Sequence, residues 1–239
     1  MNRLTLLGGG GGAAAGGDTN FANVALLWEA EGTNGQQNSP PLVDVTGKTI
    51  TAAGTGQIST AQARIGSTSF SVGTGGANLA DSADWDISLT NSDPFTIEFS
   101  AYQTTLQTWE VIQHWGGATS SWWIRLQTDG QVRLLASSTG TTAFTTDVTT
   151  TGFGMTAATW TDICIDKDAT GKIRFYRGGV MKYSTTPANS AFFAAASTLN
   201  FGSNGNPNGY VDHIRITKGV ARYGSDSGYT FSASPFPTS

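Results

Sequence analysis

The chain has 239 residues and a formal net charge of −4, and its 13 Lys and Arg residues are dispersed along the sequence. This charge pattern gives no general attraction to nucleic acid or to an anionic membrane surface. Only 13% of the residues are charged whereas 38% are hydrophobic, so the composition excludes both a mainly helical protein and a disordered one.

Residues 1–20 are predicted to form an arm outside the globular domain. A short apolar tip carries Leu4, Leu6 and Leu7, and a Gly/Ala tract follows it. Such a tract is a flexible coil on its own, because glycine loses much entropy when it is ordered. We therefore expect a partner to order the arm, with the three leucines as its anchors. The tip is shorter than the apolar core of roughly 7–15 residues in a signal peptide, so no secretion signal is predicted.

From Phe21 onward the sequence alternates between strands and short polar turns. Residues 95–101 place Phe, Ile, Phe and Ala on one face and Thr, Glu and Ser on the other, the pattern of a half-buried strand. Residues 128–130 and 168–171 each join two strands in a hairpin. We count roughly a dozen strands and no helix beyond one turn around Ala61, which predicts an all-β antiparallel sandwich or barrel.

Two consecutive tryptophans indicate the most informative surface. Trp122 shares its parity with Ile124 and Leu126 and is predicted in the core, so Trp123 must face outward. The same alternation predicts an outward-facing set made of Trp123, Arg125, Gln127, Arg133, Arg174 and Tyr176. Outward aromatic rings beside polar groups occur at protein interfaces, and sugars also stack on them. Cover by a loop of the same domain, a subunit interface and a glycan site therefore remain open.

The last long strand, 210–218, carries an acid in phase with apolar side chains. Asp212 shares its parity with Ile214 and Ile216, and an acid that faces a core needs hydrogen bonds or a cation. Backbone N–H groups near the start of the strand could satisfy it. Alternatively, Asp212 and Asp44 share a structural calcium ion, which prefers oxygen ligands from loops. Calcium is the only cofactor that the sequence suggests.

Several short motifs then point to a known family. Residues 209–223, GYVDHIRITKGVARY, resemble the closing signature of concanavalin A-like lectin/glucanase (laminin-G-like jelly-roll) domains. Further landmarks of that family occur in order at 21–27, 44–47, 95–99, 160–163 and 234–237. The resemblance implies an antiparallel jelly-roll β-sandwich over residues 21–239, after the extended N-terminal arm. Domains of this kind are common in tailed-phage virion proteins.

The glucanase members of that family carry two glutamates and an aspartate close together on one strand. This sequence has four glutamates, and Glu29 and Glu31 share one face of a strand, but no aspartate lies between or just after them. Such a pair is more often a solvated face than an acid/base couple. The sequence also lacks a Ser-His-Asp order, a phosphate-binding loop and a His-rich metal motif. We therefore predict that the protein is not an enzyme.

Three classes of function follow from these observations. The first is a structural virion protein, such as a capsid decoration, head fibre or tail-associated protein, made in the host cytoplasm. It would assemble through the arm and the sandwich surface with capsid or tail subunits and with copies of itself. The second is a module that binds a host-surface glycan, and the third and most remote is a glycoside hydrolase. We expect the first, because an apolar-tipped arm suits docking to a lattice, and we expect neither nucleic acid binding nor membrane insertion.

Overall fold

The computed structural model describes residues 17–116, 119–204 and 208–239, so the predicted anchors Leu4, Leu6 and Leu7 lie outside the described residues. Two short 3-10 helices, Phe21–Asn23 and Ala83–Trp85, replace the helical turn predicted around Ala61. The strands within the described residues are β1 Val24–Trp28, β2 Leu42–Val43, β3 Thr49–Ala52, β4 Gln57–Ser59, β5 Ser69–Ser71, β6 Ala77–Leu79, β7 Phe95–Gln103, β8 Trp109–Gly116, β9 Thr119–Leu126, β10 Val132–Ala136, β11 Thr146–Thr149, β12 Thr161–Lys167, β13 Ile173–Arg177, β14 Val180–Thr185, β15 Leu199–Asn204 and β16 Gly209–Lys218.

The strands form two antiparallel sheets of eight strands each, which confirms the predicted all-β sandwich. Sheet I has the order β14-β13-β12-β7-β16-β5-β4, and β1 also pairs with β16. Sheet II has the order β11-β10-β9-β8-β15-β6-β3-β2. Both predicted hairpins are present, since β9 pairs with β10 and β12 pairs with β13. The described part of the chain has no helix of the length and apolar character that a membrane span requires.

The core lies between the two sheets. Alternate side chains of each long strand point into it, as the period of two requires. Its largest fully buried aromatic members are Trp85, Trp109, Trp122, Phe70, Phe95, Phe153, Phe175, Phe192 and Phe201. The chain thus contains enough apolar material to hold the sandwich together without a disulfide, and Cys164 is its single cysteine.

The outer face of sheet I is also buried, which differs from the prediction for β7. Every residue from Phe95 to Ala101 is buried, including the polar residues Thr96, Glu98 and Ser100. The segment after β16 covers this face: Tyr223 and Tyr229 stack on each other with ring centroids 3.6 Å apart. Cys164 lies under the same cover, is 1% exposed, and has a pKa raised well above its usual value by burial. The alternation of β7 therefore separates two buried environments, one apolar and one polar.

A β-bulge in β16 overturns the parity argument for Asp212. Asp212 pairs with Ser100 and Arg215 with Glu98, so three steps along β16 match two along β7. The extra residue is accommodated at His213, whose φ of 53° lies in the left-handed region. Asp212 consequently points away from the core, onto the buried outer face of sheet I, although it shares its parity with the core residue Ile214.

Candidate functional site

The consecutive tryptophans of β9 lie on opposite faces of sheet II. Trp122 is fully buried in the core, and its indole N–H donates to the carbonyl of Trp85 at 2.9 Å. Trp123 is half-buried on the outer face of the sheet. These orientations follow from the alternation along a strand and agree with those predicted from the sequence.

Trp123 belongs to a cluster of three rings. Trp115 comes from β8 and Phe144 from the loop between β10 and β11, with ring centroids 4.3 and 5.2 Å from that of Trp123. Trp115 and Phe144 lie 5.3 Å apart, and Phe144 is 39% exposed. The indole Nε1 of Trp123 is buried and has no hydrogen-bond partner among the described residues. We call Trp115, Trp123 and Phe144 the aromatic platform; a loop of the same domain contributes Phe144, which is the most exposed of the three rings.

A row of side-chain amides continues from Trp123 across sheet II. Trp123 lies opposite Gln113 on β8, Gln113 lies opposite Asn200 on β15, and Asn200 lies opposite Asn78 on β6. Thr51 on β3 ends the series. Neighbouring strands are about 4.8 Å apart, so the series from Trp123 to Thr51 spans roughly 19 Å. We call Gln113, Asn200 and Asn78 the amide row; no local pattern in the sequence points to it, because its members come from three separate strands.

The charged side chains beside the platform are compensated by ion pairs. Arg125 contacts Glu110 at 2.7 Å, and its guanidinium carbon lies 5.0 Å from the centroid of the Trp123 ring. Arg133 binds both carboxylate oxygens of Asp147, at 2.8 and 2.6 Å. Hydrogen bonding from Arg133 lowers the pKa of Asp147 below its usual value. The outer face of sheet II around Trp123 is therefore polar but close to neutral.

The structure brings only part of the predicted outward-facing set together. Trp123, Arg125 and Arg133 lie on adjacent strands of sheet II, with Trp123 and Arg125 on β9 and Arg133 on β10. Gln127 lies one residue beyond the end of β9, half-buried, with its backbone N–H bonded to the carbonyl of Gln131 at 2.9 Å.

Arg174 and Tyr176 lie on β13 in the other sheet, so their predicted place beside Trp123 is wrong. Both are buried under the C-terminal segment. The guanidinium of Arg174 contacts carboxylates of Asp168 and Asp226 at 2.6 and 2.7 Å, and the hydroxyl of Tyr176 donates to a backbone carbonyl of that segment. Strand parity fixes the face of a sheet on which a residue lies, but it does not say which sheet the strand joins.

Asp44, one of the two predicted calcium ligands, closes a turn. One carboxylate oxygen accepts from the backbone N–H of Lys48 at 2.7 Å. The other accepts from the backbone N–H of Leu27 at 3.1 Å and from the hydroxyl of Thr46 at 2.7 Å. Both oxygens thus face donors, which is the arrangement of a structural turn residue.

Asp212, the other predicted ligand, serves a different backbone segment. Its Oδ2 accepts from the backbone N–H groups of Arg64 and Ile65 at 2.9 and 3.2 Å, while Oδ1 is buried without a partner among the described residues. Burial raises the pKa of Asp212 to about 7. Within the described ranges no group of three or more His, Cys, Asp or Glu side chains is placed to hold a metal ion.

The four glutamates differ in the partners that their carboxylates have. Glu98 and Glu110 each contact an arginine, at 2.6 and 2.7 Å. Glu31 accepts hydrogen bonds from residues 67 and 68. Burial raises the pKa of Glu29, and the nearby charge of Glu31 raises it further. Three of the four carboxylates therefore have stabilising partners within the domain.

Asp18 fixes the start of the described chain on the outer side of sheet I. Its carboxylate binds the guanidinium of Arg222 through two contacts of 2.9 Å and lies 3.3 Å from that of Arg215. Its backbone N–H donates to the carbonyl of Ser239 at 2.6 Å. The point at which residues 1–16 join the domain is thus on the opposite side of the sandwich from Trp123.

The solved structures similar to this chain include several bacterial toxin binding domains. They include the binding domain of Paraclostridial Mosquitocidal Protein 1, with 15% identity over 84% of this chain and 50% of that chain and a TM-score of 0.62. The binding domain of botulinum neurotoxin serotype G has 14% identity over 82% of this chain and 48% of that chain, with a TM-score of 0.61. A botulinum neurotoxin type C structure has 14% identity, covers 84% of this chain and 49% of that chain, and has a TM-score of 0.58. The chain thus spans about half the length of these structures, and the likeness shows a shared fold.

No curated protein matches the chain. A family model described as the concanavalin A-like lectin/glucanases superfamily matches residues 72–221, more than half of the sequence. This match agrees with the resemblance seen in the motifs and with the two-sheet architecture. The chain is a member of the concanavalin A-like lectin/glucanases superfamily.

Proposed function

We propose that the protein is a non-catalytic glycan-binding module, with its binding surface on the outer face of sheet II. The observation that carries the proposal is the continuous series from the aromatic platform into the amide row. The apolar C–H face of a sugar ring stacks on a ring of the aromatic platform, while the half-buried amides of Asn78 and Asn200 carry hydrogen-bond donors and acceptors for the sugar hydroxyls. The Asn200 amide bonds the exposed Thr198 in the free protein. Gln113, which is 8% exposed, lies between Trp123 and Asn200 and makes the series continuous.

The geometry favours an uncharged, extended glycan as the ligand. The amide row advances by about 4.8 Å per strand, which is comparable to the length of one sugar residue, so successive sugars can meet successive strands. Arg125 and Arg133 are held by Glu110 and Asp147, so neither arginine carries an uncompensated charge to the surface. Support for glycan binding in general, though not for an uncharged ligand, comes from the type C neurotoxin structure, since cell entry of that toxin is described as dependent upon interaction with two ganglioside molecules.

Replacing Trp123 with Ala is expected to reduce affinity for the bound glycan at least tenfold, or by about 1.4 kcal/mol or more. The substitution removes the ring that stacks on the sugar. A glycan array probed with the intact chain identifies the ligand, and isothermal titration compares the variants. Asn200→Ala is expected to weaken binding through the amide row, whereas Val180→Ala, on the edge of sheet I, serves as a control that leaves binding unchanged.

Two results would contradict this function. The first is an intact protein that binds no neutral glycan on the array. The second is a Trp123→Ala protein that keeps full affinity, with a thermal melt showing that both proteins are folded.

We further propose that residues 1–20 attach this module to a tailed-phage particle, where capsid or tail subunits and further copies of the chain are the partners. Asp18 and Ser239 are bonded to each other on the outer side of sheet I. Attachment through that side leaves the aromatic platform directed away from the particle, so assembly and glycan recognition are compatible. The protein would then reside in the virion, with Leu4, Leu6 and Leu7 as the anchors of the arm.

Deleting residues 2–16 is expected to abolish incorporation into phage particles while leaving the melting temperature of the domain unchanged. The deletion removes the apolar tip but keeps Asp18 and its contacts to Arg215 and Arg222. Quantitative mass spectrometry of purified particles measures occupancy. A triple Leu→Ser variant of Leu4, Leu6 and Leu7 is expected to lose occupancy as well. Undiminished occupancy of the deleted protein would contradict attachment by the arm.

A further inference from the structure

The outer face of sheet I carries a second aromatic surface that the C-terminal segment leaves partly exposed. Tyr102 on β7 lies opposite Tyr210 on β16, and their ring centroids are 5.9 Å apart. Trp160, just before β12, lies 5.6 Å from Tyr102 on its other side. All three rings are half-buried. Their side chains follow one line across three neighbouring strands, on the opposite side of the sandwich from Trp123.

A cleft opens beside the Trp160 end of this line. It has a volume of about 420 Å³, and its lining includes Trp160, Arg177 and the hydroxyl-bearing residues Thr156 and Thr159. The indole Nε1 of Trp160 is buried and has no hydrogen-bond partner among the described residues. The wall of the cleft therefore combines part of the Trp160 ring with two threonine side chains that carry hydroxyl groups.

Arg177 gives the cleft a positive charge that no carboxylate of the described residues pairs with. Seven arginines lie in the described residues, and six of them form an ion pair with a carboxylate. Arg177 forms none within the same ranges; its guanidinium donates to the carbonyl of Gly154. The one acid that lines the cleft, Asp162, is bound by Arg64 through contacts of 2.9 and 2.8 Å.

We propose that this cleft is a second binding site, selective for acidic oligosaccharides. The carboxylate of a uronic or sialic acid residue binds the guanidinium of Arg177, since an arginine fork matches a carboxylate in charge and in geometry. The ring of that sugar stacks on Trp160, and the next residues run over Tyr102 and Tyr210. The site is independent of the aromatic platform, which carries no uncompensated charge and lies on the other sheet.

Arg177→Gln is expected to lower affinity for acidic glycans at least tenfold and to leave neutral glycans unaffected. The substitution keeps a polar side chain with hydrogen-bond donors, although a shorter one, while it removes the charge. A glycan array that carries uronate and sialate glycans beside their neutral counterparts shows the preference. Isothermal titration with trigalacturonic acid and with its neutral methyl ester then measures the effect of the charge, which should weaken as NaCl is added.

Two further variants make the test specific. Arg133→Gln, which removes a surface arginine from the other sheet, should bind acidic glycans as the intact protein does. Trp123→Ala should lose affinity for neutral glycans and keep its affinity for acidic ones. The substitutions Trp123→Ala and Arg177→Gln therefore distinguish a failure of the sheet II site from a failure of the Arg177 cleft. Melting temperatures confirm that each variant is folded.

Several outcomes would overturn the proposal. They are equal binding of acidic glycans and their neutral counterparts, full affinity of Arg177→Gln for the acidic ones, and an absence of binding to any acidic glycan. Arg177-dependent binding of tetraglutamate without binding of an acidic glycan would assign the cleft to acidic peptides instead.

Discussion

Glu98→Ala is expected to lower the free energy of unfolding by about 3–5 kcal/mol, because it leaves a buried arginine without its closer ion-pair partner. The Glu98 carboxylate lies buried between sheet I and the C-terminal segment, where it accepts from Nε of Arg215 at 2.6 Å and from the hydroxyl of Tyr223 at 2.5 Å. Without it, the buried Arg215 charge keeps only Asp18, at 3.3 Å, as an acidic neighbour. Urea denaturation followed by tryptophan fluorescence measures the loss.

Two other variants define what the effect means. Glu98→Gln retains an acceptor and most of the volume, so we expect a smaller loss than for Glu98→Ala. Asp147→Ala removes the acid from the half-exposed ion pair with Arg133 on sheet II, where solvent screens the charges. It should lower the free energy of unfolding by less than about 1 kcal/mol. A loss for Glu98→Ala no greater than that for Asp147→Ala would contradict a stabilising role for the buried network.

Asp212 and His213 are expected to contribute opposite pH dependences to stability, which nearly cancel in the intact protein. Burial raises the pKa of Asp212 from 3.8 to about 7. Burial, followed by the charge of Arg215, lowers the pKa of His213 from 6.5 to about 4. Between the folded and unfolded pKa values of each group, the folded state holds a proton on Asp212 that the unfolded state has lost. It lacks a proton on His213 that the unfolded state has bound. Asp212 therefore makes stability fall as the pH rises from about 4 to 7, and His213 makes it rise between about 4 and 6.5.

Comparison of each single variant with the intact protein should reveal the contribution of the residue that is replaced. Relative to the intact protein, Asp212→Asn should gain about 4 kcal/mol of stability as the pH rises from 4 to 7. His213→Gln should instead lose about 3 kcal/mol relative to the intact protein between pH 4 and 6.5. Urea midpoints at half-unit intervals of pH give both curves. All other titrating groups are shared, so they cancel in the comparison, and parallel curves for the variants and the intact protein would contradict the prediction.

The sequence was sufficient to predict the fold class and most long strands. The alternation of residues 95–101, the Asp-Gly turn at 129–130 and the polar turn at 168–171 are local signals, and each depends on side chains only a few positions apart. The closing motif at 209–223 then identified the family. The short strands β2 to β6 have two to four residues each, too few for a period to be visible, and this explains why fewer strands were predicted than the structure has.

The predictions that differ from the structure concern relations between distant segments. Asp212 was predicted to face the core because parity holds only along an unbroken strand, and the extra residue at His213 reverses it. The polar face of β7 was predicted to be exposed because the sequence does not show that a segment some 120 residues later lies over it. Arg174 and Tyr176 have the correct parity, but their strand joins sheet I.

The candidate sites show the same limit. Trp123 and Arg125 could be identified because they lie on one strand. The amide row, in contrast, combines Gln113, Asn200 and Asn78 from three strands, and only the register of the sheet places them in line. The same holds for Tyr102 and Tyr210, which are separated by more than 100 residues in sequence and become neighbours through the pairing of β7 with β16.

The buried thiol of Cys164 provides a built-in kinetic reporter for movements of the C-terminal segment. It is the single cysteine of the chain, is 1% exposed, and its raised pKa keeps it as the unreactive thiol in the folded state. A thiol reagent can label it only after Tyr229 and its neighbours have lifted from sheet I. The labelling rate in native buffer therefore reports how often that segment detaches, and comparison with the global unfolding rate separates local opening from complete loss of structure.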